Sequence, residues 1–218
     1  MTLAQAVEEL YQAFADLPRP QHIVHEPYEL HPHEIQQLLG CPLRELPPEL
    51  MRSYLFDALF TVGTWDDFRY FLPRLLELVP AEEIEEEKVA YRLKYAQEQG
   101  FLLSGGQQAA LHAYALAYWD EVIPRWPWYA SMLLDGCTLE AFGVQRAELL
   151  DRWWVHPKGA LALAQDLHLN GQLPPEWSTA QVTAWVQAAF LAAPNDEEAQ
   201  LLSGVLLMLK HSPRQPDD

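Results

Sequence analysis

Apolar residues recur along this chain at the spacing of a single helical face. Near the end of the chain, Val182, Trp185, Val186, Ala189 and Phe190 fall at i, i+3, i+4, i+7 and i+8, positions that a 3.6-residue turn gathers on one side. The same periodicity predicts helices over 3–16, 48–62, 65–79, 82–98, 105–122, 139–151, 158–168, 180–193 and 196–210. Sustained period-two alternation bounded by turn pairs is nearly absent. The expected fold class is therefore all-α, a single domain of stacked antiparallel helices over 1–211. "FLPRLL" (71–76) is echoed by "VIPRWP" (122–127), the kind of likeness a helical-repeat architecture produces.

Polar residues punctuate the pattern where helices should start and stop. Ser178 precedes Gln181 by three residues, and Ser104 stands in the same relation to Gln107; both have the capping-box spacing. Pro194 ends one helix, and Asn195 with Glu198 opens the next, whose acidic first turn suits the positive end of the helix dipole. That last helix is apolar nearly all round from 201 to 209, which points to a central position or to a homo-oligomer sealed through 201–209. Lys210 and His211 close it, and the polar 212–218 is expected to be a disordered tail. The long irregular segment, 17–48, carries seven prolines, Pro27 among them, and room for only a short helix at 34–39. Further breaks are expected at 124–127 and 171–175.

One stretch concentrates charge and aromaticity on a helix: Thr64 to Leu78, "TWDDFRYFLPRLLEL". Thr64 is a good N-cap, and Asp66 and Asp67 fall in the first turn. Phe68, Phe71, Leu72, Leu75 and Val79 form the expected buried stripe. Pro73 lies two turns in, where its missing N–H and its ring predict a bend. Arg69 can pair with Asp66, and Arg74 with Glu77. Two readings follow. Trp65, Arg69, Tyr70 and Arg74 form a patch that grips an acidic or aromatic group of a partner, or the stretch is a capped core helix with solvated ion pairs.

The segment 42–78, "PLRELPPELMRSYLFDALFTVGTWDDFRYFLPRLLEL", resembles part of an uncharacterised bacterial protein family of helical proteins. In that family a Leu-Arg-Glu-Leu turn, a helix and an Asp-Phe-Arg-X-Phe-Leu-Pro-Arg run follow one another. The matching positions are Leu43 to Leu46 and Asp67 to Arg74. A cysteine pair precedes the turn in the family, whereas this chain has "HEPY" at 25–28. The resemblance implies a helical bacterial protein and supplies no reaction.

Composition narrows the partners. Half of the 218 residues are apolar, and 31 Asp+Glu against 14 Lys+Arg give a formal net charge of −17. Such a surface repels phosphate backbones and anionic headgroups, arguing against nucleic acid and membrane as main partners, and suits a basic protein. No apolar run approaches the roughly 18 residues of a membrane span. The first ten residues lack the basic and apolar regions of a secretory signal. Two cysteines, Cys41 and Cys137, make no disulfide framework, so the expected compartment is the cytoplasm.

Candidate chemistry is sparse. His22, His25, His31 and His33 lie within twelve residues and, with Cys41, Glu26 or Glu34, could ligate a transition metal, although they match no defined zinc motif. "RWPWY" (125–129) and "RWW" (152–154) offer indoles for a stacking groove, with Arg125 or Arg152 over a ring, or else fill gaps between helices. The acidic run "EEIEEEK" (82–88) is a solvated first turn or a basic docking site. No phosphate-cradling loop, G-x-S-x-G or H-E-x-x-H is present. A spatial pairing of Cys137 with His112, His156 or His168 stays open. The reading leans away from an enzyme and toward an acidic interaction protein (an adaptor, an inhibitor or an immunity-type partner), with a metal-binding module using His22–His33 as the alternative. No organic cofactor is implied.

Overall fold

The computed structural model describes residues 1–26 and 28–211. The fold is all-α. Its helices are α1 (Leu3–Ala13), α2 (Pro32–Gly40), α3 (Pro48–Asp57), α4 (Trp65–Leu78), α5 (Glu86–Glu98), α6 (Gly105–Arg125), α7 (Pro127–Asp135), α8 (Arg146–Val155), α9 (Gly159–Asn170), α10 (Thr179–Leu191) and α11 (Asp196–His211). Short 3-10 turns occupy Leu43–Glu45, Val79–Ala81 and Thr138–Phe142. Among the described residues, no strand forms beyond an isolated bridge between Ala58 and Val62. No helix among them is long and apolar enough to cross a membrane. The tail expected at 212–218, and Pro27, lie outside the described residues.

The chain divides into two compact units. One holds Met1–Tyr118 with Cys137–Gln145, the other Trp119–Gly136 with the chain from Arg146 onward. In the first unit, α4 supplies the centre: Phe68, Phe71, Leu72, Leu75 and Leu76 are fully buried. Pro73 is buried within α4, and the helix continues on both sides of it. At the end of α4 a second proline matters. Pro80 has no N–H to give the Leu76 carbonyl, and the buried Tyr114 hydroxyl donates to that oxygen at 2.7 Å.

The irregular 17–48 segment is held by a few strong anchors. Ile23 and Leu30 are buried, Gly63 N–H donates to Val24 O at 2.7 Å, and Arg19 donates to the carbonyls of Gly40 and Cys41. Its helix, α2, is three residues longer than the 34–39 expected, because Pro32 starts it from N1, the one helical position a proline suits.

Three boundaries differ from the periodic pattern, each for a local reason. α3 stops at Asp57 instead of 62. The buried Arg92 guanidinium takes the carbonyls of Leu55 and Phe56, satisfying helix-end acceptors, and Leu59 turns left-handed at φ 67°. The stretch 139–151 is broken by Gly143 at φ 87°, so a 3-10 turn precedes it and α8 follows. The expected break at 124–127 shrinks to Trp126 alone, since α7 begins with Pro127 at its first position.

The second unit is built on tryptophans. Trp119 and Trp153 are fully buried, and each indole N–H finds a carbonyl: Trp119 donates to Leu149 O at 2.9 Å, Trp153 to Gly159 O at 3.1 Å. Their rings meet edge to face at 5.6 Å, and Trp177 adds a third ring 5.7 Å from Trp153. Gly159 is required here. A Cβ on it would collide with the Trp153 carbonyl oxygen and stand 3.0 Å from the Trp185 ring.

Candidate functional site

The Thr64–Leu78 stretch is organised first by its cap. Asp67 Oδ2 accepts from Thr64 N–H at 2.7 Å and from the Thr64 hydroxyl at 2.9 Å, while Asp67 N–H donates back to Thr64 Oγ1 at 3.3 Å. This reciprocal box fixes the first turn of α4 and with it the position of Trp65.

The four residues of the expected patch then diverge in role. Arg74 Nε and Nη2 donate to the Leu46 carbonyl at 3.0 and 2.9 Å, and Nη1 donates to Glu77 at 2.6 Å. Glu77 also accepts from the Tyr11 hydroxyl at 2.7 Å; burial first, then this bond, pushes the Tyr11 pKa far above the usual phenol range. Arg44 lies over the Tyr11 ring at 3.8 Å and grips Glu8 with two bonds of 2.8 and 2.7 Å. The Leu43–Leu46 turn and the α4 arginine are thus two ends of one hydrogen-bonded strap. Tyr70 packs edge-on against Phe71 at 5.1 Å. Arg69 pairs with Asp66 and sits 5.7 Å from the Trp65 ring.

Trp65 lines a cleft. It stacks on Phe68 at 6.0 Å and on Phe101 at 5.7 Å, with interplanar angles of 24° and 21°. Beside this stack opens a cleft of about 400 Å³, walled by Trp65, Leu93, Phe101, Leu103 and Phe142, with Gln97, Gln108 and His112 as its polar groups. Phe101 and Leu102 are 43% and 75% exposed. The amides are oriented from the frame: Gln97 Nε2 donates to Ala141 O at 3.2 Å and Gln108 Nε2 to Leu103 O at 3.1 Å. Fixing the amide nitrogens on the frame leaves the amide oxygens as acceptors for a ligand. A concave apolar site with a few positioned polar groups has the general make-up of a binding pocket. Periodicity could not reveal it, because Trp65, Phe101 and Phe142 come from three separate segments.

The other candidates resolve as follows. His22, His31 and His33 are exposed and His25 half-buried; His31 and His33 stack at 5.6 Å, and His25 Nδ1 lies 3.0 Å from Glu26 O. Among the described residues, no three His, Cys, Asp or Glu side chains are grouped to hold a metal ion. In the acidic run, Glu83 pairs with Arg52 and Glu85 with Lys88, while Glu86 is buried with its carboxylate 3.5 Å from the Tyr118 hydroxyl. Arg125 lies over Trp126 at 3.9 Å, and Arg152 is held by Asp120 through bonds of 2.6 and 2.5 Å. Cys137 is exposed, in a left-handed backbone conformation ahead of the 138–142 turn.

No protein-family model, curated protein or solved structure matches this chain.

Proposed function

We propose that the protein acts by binding another protein, taking an apolar side chain of that partner into the Trp65–Phe101 cleft. The observation that carries this reading is the cleft itself. Its walls are aromatic, Phe101 and Leu102 expose large apolar surface, and its polar groups are two frame-anchored amides and a histidine. Apolar side chains exposed beside a concave site gain most when a partner covers them. The net charge of −17 favours a partner with a basic surface and speeds its encounter. An adaptor, an inhibitor or an immunity-type protein would behave in this way. A cytoplasmic setting belongs to the same reading, because two cysteines so far apart in sequence imply no disulfide framework.

The test is affinity capture of the tagged chain from an extract of its source at low and moderate salt, run beside Ala109→Trp. Ala109 is exposed on α6 and lines the cleft, so the indole fills the site without entering the core. The expected result is a stoichiometric basic partner that weakens as salt rises and is lost with Ala109→Trp. Absence of a partner overturns the reading, and so does a partner held equally well by the variant.

A further inference from the structure

We propose that Asn170 is a self-modification site: conversion of its side-chain amide to a carboxylate loosens the C-terminal end of α9 from α7. The proposal concerns the second unit alone and does not depend on the Trp65 cleft.

The reactive pair is Asn170–Gly171, exposed at the end of α9. The backbone nitrogen that follows an asparagine can attack the side-chain Cγ. The new N–Cγ bond closes a five-membered imide. The bond from Cγ to the side-chain nitrogen breaks, and that nitrogen leaves as ammonia, taking up the proton of the backbone N–H. Water then opens the ring. Cleavage at Cγ leaves aspartate, and cleavage at the main-chain carbonyl leaves isoaspartate, with the chain running through the side chain. Glycine at the following position has no Cβ to obstruct ring closure. The chain's other asparagine, Asn195, is followed by Asp196 and serves as an internal reference.

The fold keeps both reacting groups engaged while the end of α9 is closed. Gly171, at φ 70°, donates its N–H to Leu167 O at 2.9 Å. Asn170 Nδ2 donates to Asp166 Oδ1 at 2.5 Å. Attack therefore needs the last turn of α9 to open, and such fraying costs least at a helix end.

The product cannot restore the bond that opened. Asp166 is 1% exposed, and Ser131 of α7 donates through Oγ to its other oxygen at 2.7 Å, so this carboxyl links the two helices. A carboxylate at position 170 offers Asp166 no N–H, and two carboxylates at hydrogen-bond distance resist being ionised together. The charge of Asp135, at the end of α7, bears on the same carboxyl and adds to the repulsion. At neutral pH the turn then closes only if the pair takes up a proton. Opening admits the reaction, and the reaction retains the open state, which makes the pair a one-way latch.

The experiment incubates the full chain at mildly alkaline pH, folded or in urea, and maps its peptides by mass spectrometry. The expected result is aspartate and isoaspartate at position 170 of the folded chain, formed several-fold more slowly than in urea, with Asn195 keeping its amide. An Asn170 that keeps its amide in the folded chain overturns the proposal, and so does conversion equally fast in both conditions. The consequence is read in urea titrations of Asn170→Asp, whose site is exposed. Its midpoint should fall below that of the wild type at neutral pH and approach it as the pH is lowered. In an Asp166→Asn background, where the second carboxylate is gone, Asn170→Asp should leave the midpoint unchanged. A fall that persists in that background, or that does not change with pH, overturns the proposal as well.

Discussion

Asp166 carries its carboxyl into the second unit at 1% exposure. Ser131 Oγ donates to one oxygen at 2.7 Å and Asn170 Nδ2 to the other at 2.5 Å. Burial holds its pKa above the ordinary carboxylate value of 3.8; the two hydrogen bonds oppose that rise and the charge of Asp135 adds to it. A folded-state pKa raised in this way means that the folded protein binds the proton more tightly than the unfolded chain. The resulting stabilisation is complete below the unfolded value and is lost as pH rises through the folded one. Asp166→Asn removes this titration. Denaturant melts should show the wild type losing stability relative to the variant as pH rises from about 4 to 7. A difference that does not change with pH would refute the assignment.

At the scale of elements, the charged residues of α4 are unequal in a way their spacing does not show. Arg74, 14% exposed, clamps the Leu46 carbonyl and Glu77 and so ties the 43–46 turn to α4. Arg69 makes one ion pair with an Asp66 that is 76% exposed. Losing a charged donor to a part-buried carbonyl costs about 2–3 kcal/mol, because the acceptor is left unpaired. Losing an exposed i,i+3 pair costs under about 1 kcal/mol. Urea titrations should therefore place Arg74→Met well below Arg69→Met in midpoint at an unchanged slope. Equal losses would mean that the strap does not hold the turn. The "LREL" and "DFRYFLPR" segments are joined by hydrogen bonds through Arg74, whose charge serves the fold.

For the whole molecule, the decisive quantity is charge already spent. Arg44, Arg52, Arg69, Arg74, Arg146, Arg152 and Lys88 each pair with an acidic residue of the same chain. With 14 basic residues against 31 acidic ones, the surplus is acidic and repels itself. Raising salt from about 20 to 200 mM shortens the Debye length to below about 10 Å. The melting temperature should therefore rise over that range, and a fall would show that the ion pairs outweigh the repulsion.

The sequence by itself determined the all-α class and most helix starts, because these depend on neighbours within one turn. Apolar spacing, the Ser104–Gln107 box, the Thr64 cap and the Asn195 cap, whose Oδ1 accepts from Glu198 N–H at 2.9 Å, are all short-range. Helix ends were less legible. The end of α3 depends on Arg92, which lies 36 residues beyond the Phe56 carbonyl it caps, and α7 is hidden behind a proline that local statistics count as a breaker. Only the tertiary structure decided what each conspicuous side chain does. It gave Arg74 to a carbonyl 28 residues away, packed Trp153 and Trp185 against Gly159, and set Phe101 beside Trp65 to wall a cleft. The physical reason is range. Hydrogen bonding along a helix is written in adjacent residues, whereas burial and concavity arise from segments whose separation in sequence leaves no periodic trace.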